Sequence, residues 1–133
     1  LLFNAFAKPE RYSIQRLRNE LRSDSPPFYR KFFVAFDAGE IVGIGGVKAA
    51  DWASNTHLLY LSAVAPTHRR QGIGRALVKV RIEWIEQHFE AGRILVSSAK
   101  NKRFRELGFT PIPKSNIDGR QLLMRRFQGA GPP

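Results

Sequence analysis

The chain has 133 residues, with 22 Lys and Arg against 11 Asp and Glu, a formal net charge of +11, and no cysteine. This length makes one domain able to bury a core. The lack of cysteine excludes disulfides, thiolate nucleophiles and cysteine-ligated zinc, and the basic balance favours anionic partners.

Taken in order, residues 1–6 are apolar and predict a short helix closed near Lys8-Pro9. A second helix follows, since Pro9 suits a first turn and Ile14, Leu17 and Leu21 recur at helical spacing while Arg11, Arg16, Arg18 and Arg22 face water. Residues 23–27, SDSPP, end it. Residues 32–36 and 41–47 are two β-prone runs around Asp37-Ala38-Gly39-Glu40, a hairpin signal. Gly43, Gly45 and Gly46 inside the second run predict close backbone packing, not ligand binding. A polar loop over residues 51–56 leads into residues 58–64, LLYLSAV, an apolar run expected to be a strand covered on both faces. Pro66 stops its pairing, and the flanking His57 and His68 are expected at the surface.

Next comes the basic, glycine-spaced turn His68-Arg69-Arg70-Gln71-Gly72-Ile73-Gly74-Arg75. Behind it a helix runs to about Phe89, with Ile73, Ala76, Leu77, Val80 and Trp84 on one apolar face and Val78, Ile82, Ile85 and Phe89 on a second. Gly92 is its expected cap, and residues 93–97 resume a strand. Strand, turn, helix and strand make a βαβ unit with parallel strands and a right-handed crossover. Backbone N–H groups converging at the helix N-terminus, with its dipole, suit a pyrophosphate, and Gly72 and Gly74 let it approach. Beyond this, residues 100–107 predict a helix ending at Gly108-Phe109, residues 114–119 a hairpin loop, residues 121–127 a last strand, and residues 128–133 a flexible tail.

The string Arg69-Arg70-Gln71-Gly72-Ile73-Gly74 behind the strand, with Glu106-Leu107-Gly108-Phe109 further on, resembles the GNAT superfamily of N-acetyltransferases over residues 28–127. The resemblance implies an α/β (α+β) GNAT-like acyl-CoA N-acyltransferase fold, a mixed, mainly antiparallel sheet flanked by helices, in one domain over residues 1–133. The family's first strand has no clear copy here; it lies ahead of Leu1 or the fold is trimmed. In the superfamily the central strand and its parallel neighbour splay apart to admit the pantetheine arm. By that likeness the backbone around Ala63 and Val64 bonds the pantetheine and polarises the thioester carbonyl, while Arg69, Arg70, Gln71, Gly72, Ile73, Gly74 and Arg75 wrap the pyrophosphate of acetyl-CoA.

The implied activity is acetyl transfer from acetyl-CoA to a primary amine by direct attack, without metal or covalent intermediate. One catalytic group departs from the family pattern: its usual tyrosine, which donates a proton to the departing thiolate, falls at Phe104. The segment from Val96 is also shorter than the common pattern, so the family's asparagine corresponds to Ser97 or Asn101. Water or another group then protonates the thiolate, or turnover is slow, or coenzyme A is bound for another purpose. A glutamate carried by some members falls at Leu58, which leaves Tyr60 as the catalytic candidate, against a tyrosine that is merely packed. The alternative is a non-catalytic CoA sensor or a protein or RNA interaction module on the same fold. A solvated basic surface is preferred over a specific nucleic-acid interface, since the cations are spread along the chain and no nucleic-acid motif is present. With no apolar run of about 18 residues and no charged-then-apolar leader, a cytoplasmic monomer or homodimer is expected.

Overall fold

A computed structural model of the chain describes residues 29–129, and the two helices expected within residues 1–27 and the end of the tail, residues 130–133, lie outside them. The described residues form strands β1 (Arg30–Asp37), β2 (Glu40–Ala49), β3 (Thr56–Val64), β4 (Ala91–Ser98), β5 (Thr110–Pro111) and β6 (Gln121–Gln128). Two helices join them, α1 (Ile73–His88) and α2 (Lys102–Glu106). The six strands make one sheet in the order β1-β2-β3-β4-β6-β5. Every pairing is antiparallel except β3 with β4, as the βαβ reading requires.

The β1–β2 hairpin closes on Ala38 and Gly39, both at positive φ (51° and 81°), which matches the twist of two paired strands. α1 lies on one face of the sheet and buries Val78, Ile82 and Ile85 in one core cluster with Val47 of β2, Leu59 of β3, Ile94 and Val96 of β4 and Leu123 of β6, while Leu77 is buried near Gly43 of β2. Its buried stripe is narrower than the two faces expected, since Ala76 is exposed and Val80 half-buried. The strand glycines face packing, as expected: a Cβ on Gly43 would meet Ile73 and Leu77 of α1, and one on Gly46 would meet Phe32 and Tyr60. Gly92 does not cap the helix. α1 ends with Phe89 in extended conformation, its N–H bonded to Ile85 O, and Gly92 lies inside β4. Gln128 still belongs to β6, and the Gly129 N–H donates to Glu90 O at 2.6 Å.

The central strand departs from expectation in two ways. Only Thr56, His57 and Leu59 are buried, while Ser62 is exposed, because β4 pairs with β3 over three residues alone, Thr56↔Arg93, His57↔Ile94 and Leu58↔Leu95. Beyond Leu58 the two strands part. On the other edge β3 stays on β2, but the register steps from Gly46↔Tyr60 to Ile44↔Ala63, so Gly45 faces both Leu61 and Ser62 in a bulge with Leu61 at φ 50°. The extra residue reverses the alternation. Ala63, not Ser62, shares the face of Tyr60.

His57 is not a surface residue. It is 3% exposed, ringed by Tyr29, Phe89 and Phe127, and bonded through Nδ1 to the Tyr29 hydroxyl at 2.6 Å, while its Nε2 has no partner among the described residues. Burial raises the Tyr29 phenol pKa, so its O–H donates to the ring nitrogen, and burial lowers the His57 pKa to about 4. Since an unfolded histidine titrates near 6.5, the unfolded chain binds more protons than the folded one between about pH 6.5 and 4. Stability conferred by neutral His57 is therefore complete above about pH 6.5 and is lost as pH falls towards 4. Thermal unfolding across that window should show the melting temperature dropping in the parent protein and a shallower drop in His57→Gln, which keeps an acceptor for Tyr29 without titrating.

Candidate functional site

The parting of β3 and β4 leaves a cleft at their carboxyl ends, where a βαβ unit leaves room for a ligand. Its larger half, about 1120 Å³, lies between the strands and is lined by Tyr60, Leu61 and Ser62 of β3, Ser97 and Ser98 of β4, and the start of α2. The smaller, about 590 Å³, runs under the N-terminus of α1 and is lined by Ile44, Ala63, Val64, the turn and α1 itself. Ser62, Arg69, Lys100, Arg103 and Phe104 border both, so the two halves are continuous.

Backbone direction follows from the register. The Ala65 N–H donates to Val42 O of β2 at 2.8 Å, so by strand alternation the Val64 N–H points the other way, into the gap that β4 has vacated. The chain then makes a short 3-10 turn, Pro66–His68, and reaches α1 through Arg70 at φ 65° and Gly72 at φ 81°, the helix N-cap. Gly72 has no side-chain cap bond, so the first N–H groups of α1 remain for a ligand. Of the turn residues expected to wrap an anion, Arg69, Arg70, Gly72, Ile73 and Gly74 line the smaller half and Arg75 the larger. Gln71 is exposed and lines neither. Arg69 Nε donates to Val64 O at 3.3 Å, and Arg75 Nη1 bonds Glu106 Oε2 at 2.6 Å.

Tyr60 lines the larger half, its ring 5.5 Å from that of Phe32 and 4.7 Å from Lys48 Nζ. Phe104 is 8% exposed and packs edge-on against Phe109, ring centroids 5.5 Å apart, so it is a wall of the cleft and part of the core. Of the two positions open for the asparagine, Ser97 lines the cleft, where its carbonyl and hydroxyl accept from Arg120 at 2.7 and 3.2 Å. Asn101 instead starts α2 and donates to Gln121 at 2.8 Å. His68, half-buried, bonds Asp37 at 2.7 Å and Thr67 at 2.8 Å. Among the described residues no cluster of His, Asp and Glu could hold a metal, and no helix is long and apolar enough to cross a membrane.

Sequence reasoning did not find Lys100, Lys102, Arg103 and Arg120, which the fold draws to the cleft from the β4–α2 connection, the start of α2 and the loop before β6. It also missed Arg81. This residue is 1% exposed in the middle of the α1 stripe, donates from Nε to Leu77 O and from Nη1 to Gly46 O, both at 2.9 Å, and borders the smaller half. Burial lowers its pKa to about 10, which leaves it a cation at neutral pH. A signal existed: Leu77, Arg81 and Ile85 stand at intervals of one helical turn, which puts a lone charge in an apolar row. Among the described residues the cleft as a whole is cationic, and Glu106, tied to Arg75, is the one carboxylate of theirs that lines either half.

A family model described as the acetyltransferase (GNAT) family matches residues 2–109. No curated protein matches the chain. Among solved structures, Escherichia coli ElaA superposes with a TM-score of 0.69 over 93% of this chain and 84% of its own, at 16% identity. The PaiA N-acetyltransferase of Thermoplasma acidophilum, in complex with coenzyme A, gives 0.66 over 89% and 74% at 17% identity. N-acetylglutamate synthase of Neisseria gonorrhoeae, complexed with coenzyme A and N-acetyl-glutamate, gives 0.63 over 94% of this chain and 32% of its own at 19% identity. At such identities the likeness is one of fold.

Gly72 offers a clean test of the turn. Nothing lies within 4 Å of the position its Cβ would take, so Gly72→Ala is strained only by its positive φ. Denaturant unfolding should show a loss of about 1 kcal/mol with an unchanged slope.

Proposed function

This chain belongs to the GNAT acetyltransferase family, and from that premise we propose that it transfers the acetyl group of acetyl-CoA to a primary amine by direct attack in a ternary complex. The observation that carries the reading is the junction of an opened strand with a helix N-terminus: Val64 offers its N–H to the gap, and a few residues later α1 begins without a cap. A thioester carbonyl at Val64 would meet a pre-aimed donor, and the pyrophosphate would lie on the turn of Arg69, Arg70, Gly72, Ile73 and Gly74, with Arg75 beside it and Ala63 flanking the pantetheine. Gln71, exposed outside the cleft, reaches the cofactor only at its solvent edge.

The amine has to arrive neutral, since an alkyl ammonium with a pKa near 10.4 has no lone pair to give. Lysines and arginines around the cleft push that pKa down, because a like charge disfavours the protonated form. The same field disfavours polycationic acceptors and favours an amine that also carries a carboxylate or phosphate. Tyr60 is the side chain assigned to the acceptor's proton, directly or through water.

A second reading, a CoA-binding sensor without turnover, is favoured by Phe104 and by a cleft in which the one carboxylate among the described residues is already paired. Calorimetric titration with acetyl-CoA and CoA, run beside thiol release over an amine panel, separates the two. Micromolar binding, abolished in Gly74→Glu where the new carboxylate meets Arg103 and the phosphate site, together with turnover of an amino acid in preference to a polyamine, is the expected result. Binding without turnover on any acceptor supports the sensor, and no binding by folded protein removes both. Tyr60→Phe should lower kcat about 100-fold with the fold intact, and an unchanged kcat would assign the proton to solvent.

A further inference from the structure

Arg81 is the largest fully buried side chain among the described residues, and no ion pair there includes it. Its two hydrogen bonds go to neutral carbonyls, Leu77 O and Gly46 O, which occupy N–H groups without cancelling the charge. A methionine or leucine would fill the same stripe without the desolvation penalty of a buried cation, so packing alone does not account for an arginine here. The surroundings are fitted to the guanidinium. A Cβ on Gly45 would lie 2.7 Å from Arg81 Cζ, and Gly45 is the residue that faces the β3 bulge at Leu61 and Ser62.

The guanidinium borders the smaller half of the cleft together with Ser62, Ala63 and Val64 on one wall and Phe104 on another. Among the described residues, the other charged or titratable groups around that half are His68, Arg69 and Arg70 from the turn, Lys100 from the β4–α2 connection and Arg103 from α2, and no carboxylate of theirs lines it. The reaction itself makes an anion there. Attack of the amine on the thioester forms the C–N bond and moves the carbonyl π pair to oxygen. When that pair returns, the C–S bond breaks and its electrons leave with sulfur as thiolate, while the amine's proton goes to solvent or to the group that handles it. Phe104 has no proton for the sulfur.

We propose that the buried guanidinium of Arg81 is the counter-charge for the departing coenzyme A thiolate, stabilising electrostatically the sulfur that residue 104 cannot protonate. The assignment rests on the transferase reading above. It adds to that reading a reason why a basic residue is kept inside an apolar stripe, and it needs no proton transfer from Arg81.

The test is the titration of the bound CoA thiol, followed by ultraviolet absorbance of the thiolate, with desulfo-CoA binding as the control for cofactor affinity. The thiol should titrate at least about one unit below free CoA in the parent protein, which makes CoA about tenfold tighter relative to desulfo-CoA at high pH than at low pH. Arg81→Met should restore the free value while desulfo-CoA still binds, and Arg81→Lys should keep part of the shift. Gly45→Ala, which presses a methyl group against the guanidinium without removing its charge, should move the value part of the way, and it decides the matter if Arg81→Met does not fold. A bound thiol that titrates like free CoA in the parent, or identically in the parent and the folded variant, overturns the proposal and leaves Arg81 as a clamp on two carbonyls. Parent protein that binds neither CoA nor desulfo-CoA overturns the transferase reading, and this inference with it.

Discussion

The structure turns on how briefly β3 and β4 stay together. Three residue pairs hold them, and past Leu58↔Leu95 each strand keeps only its outer partner, β2 for β3 and β6 for β4. Had the ladder continued, the N–H of Val64 would be spent on a neighbouring carbonyl and no cleft would exist. The bulge at Leu61 and Ser62 accompanies the parting: it keeps β3 registered on β2 while turning Ala63 to the face of Tyr60. A positive φ at Leu61 is strained for a non-glycine residue, and it persists because pairing on either side over-determines it.

From that gap the electrostatics follow. An opened strand, a helix N-terminus and a short connection after β4 each bring cations to one space, and Glu106 is the one carboxylate among the described residues on its walls. Around an empty cleft such a field is unfavourable self-repulsion, and around a polyanionic cofactor it becomes attraction. Arg81 is the extreme case, because burial strengthens every interaction it makes and also the penalty for having no partner. Glycine at position 45 is the matching concession on the sheet side, where a side chain would collide with the guanidinium.

Much of this was legible in residue order. The hairpin around Asp37 to Glu40, the βαβ unit, the glycine-spaced turn before α1 and the last strand all rest on local signals: turn chemistry, apolar period, glycine at a helix start. The packing of Phe104 on Phe109 was not readable from the sequence. His57 was read as a surface residue because its partner Tyr29 comes from elsewhere in the fold. Arg81 was passed over although its place in the row of Leu77 and Ile85 marked it, because its acceptor Gly46 O lies on a strand far off in the chain.

The sequence by itself determined the family fold, the parallel βαβ crossover and the place of the glycine-spaced turn at the start of α1, because each depends on residues within a few positions of one another. Only the tertiary structure decided where β3 leaves β4, which face Ala63 joins, and which cations meet in the cleft. Those depend on strand register and on loops far apart in the chain, and a one-residue bulge at Leu61 and Ser62, invisible in an apolar run, was enough to redirect the end of the strand.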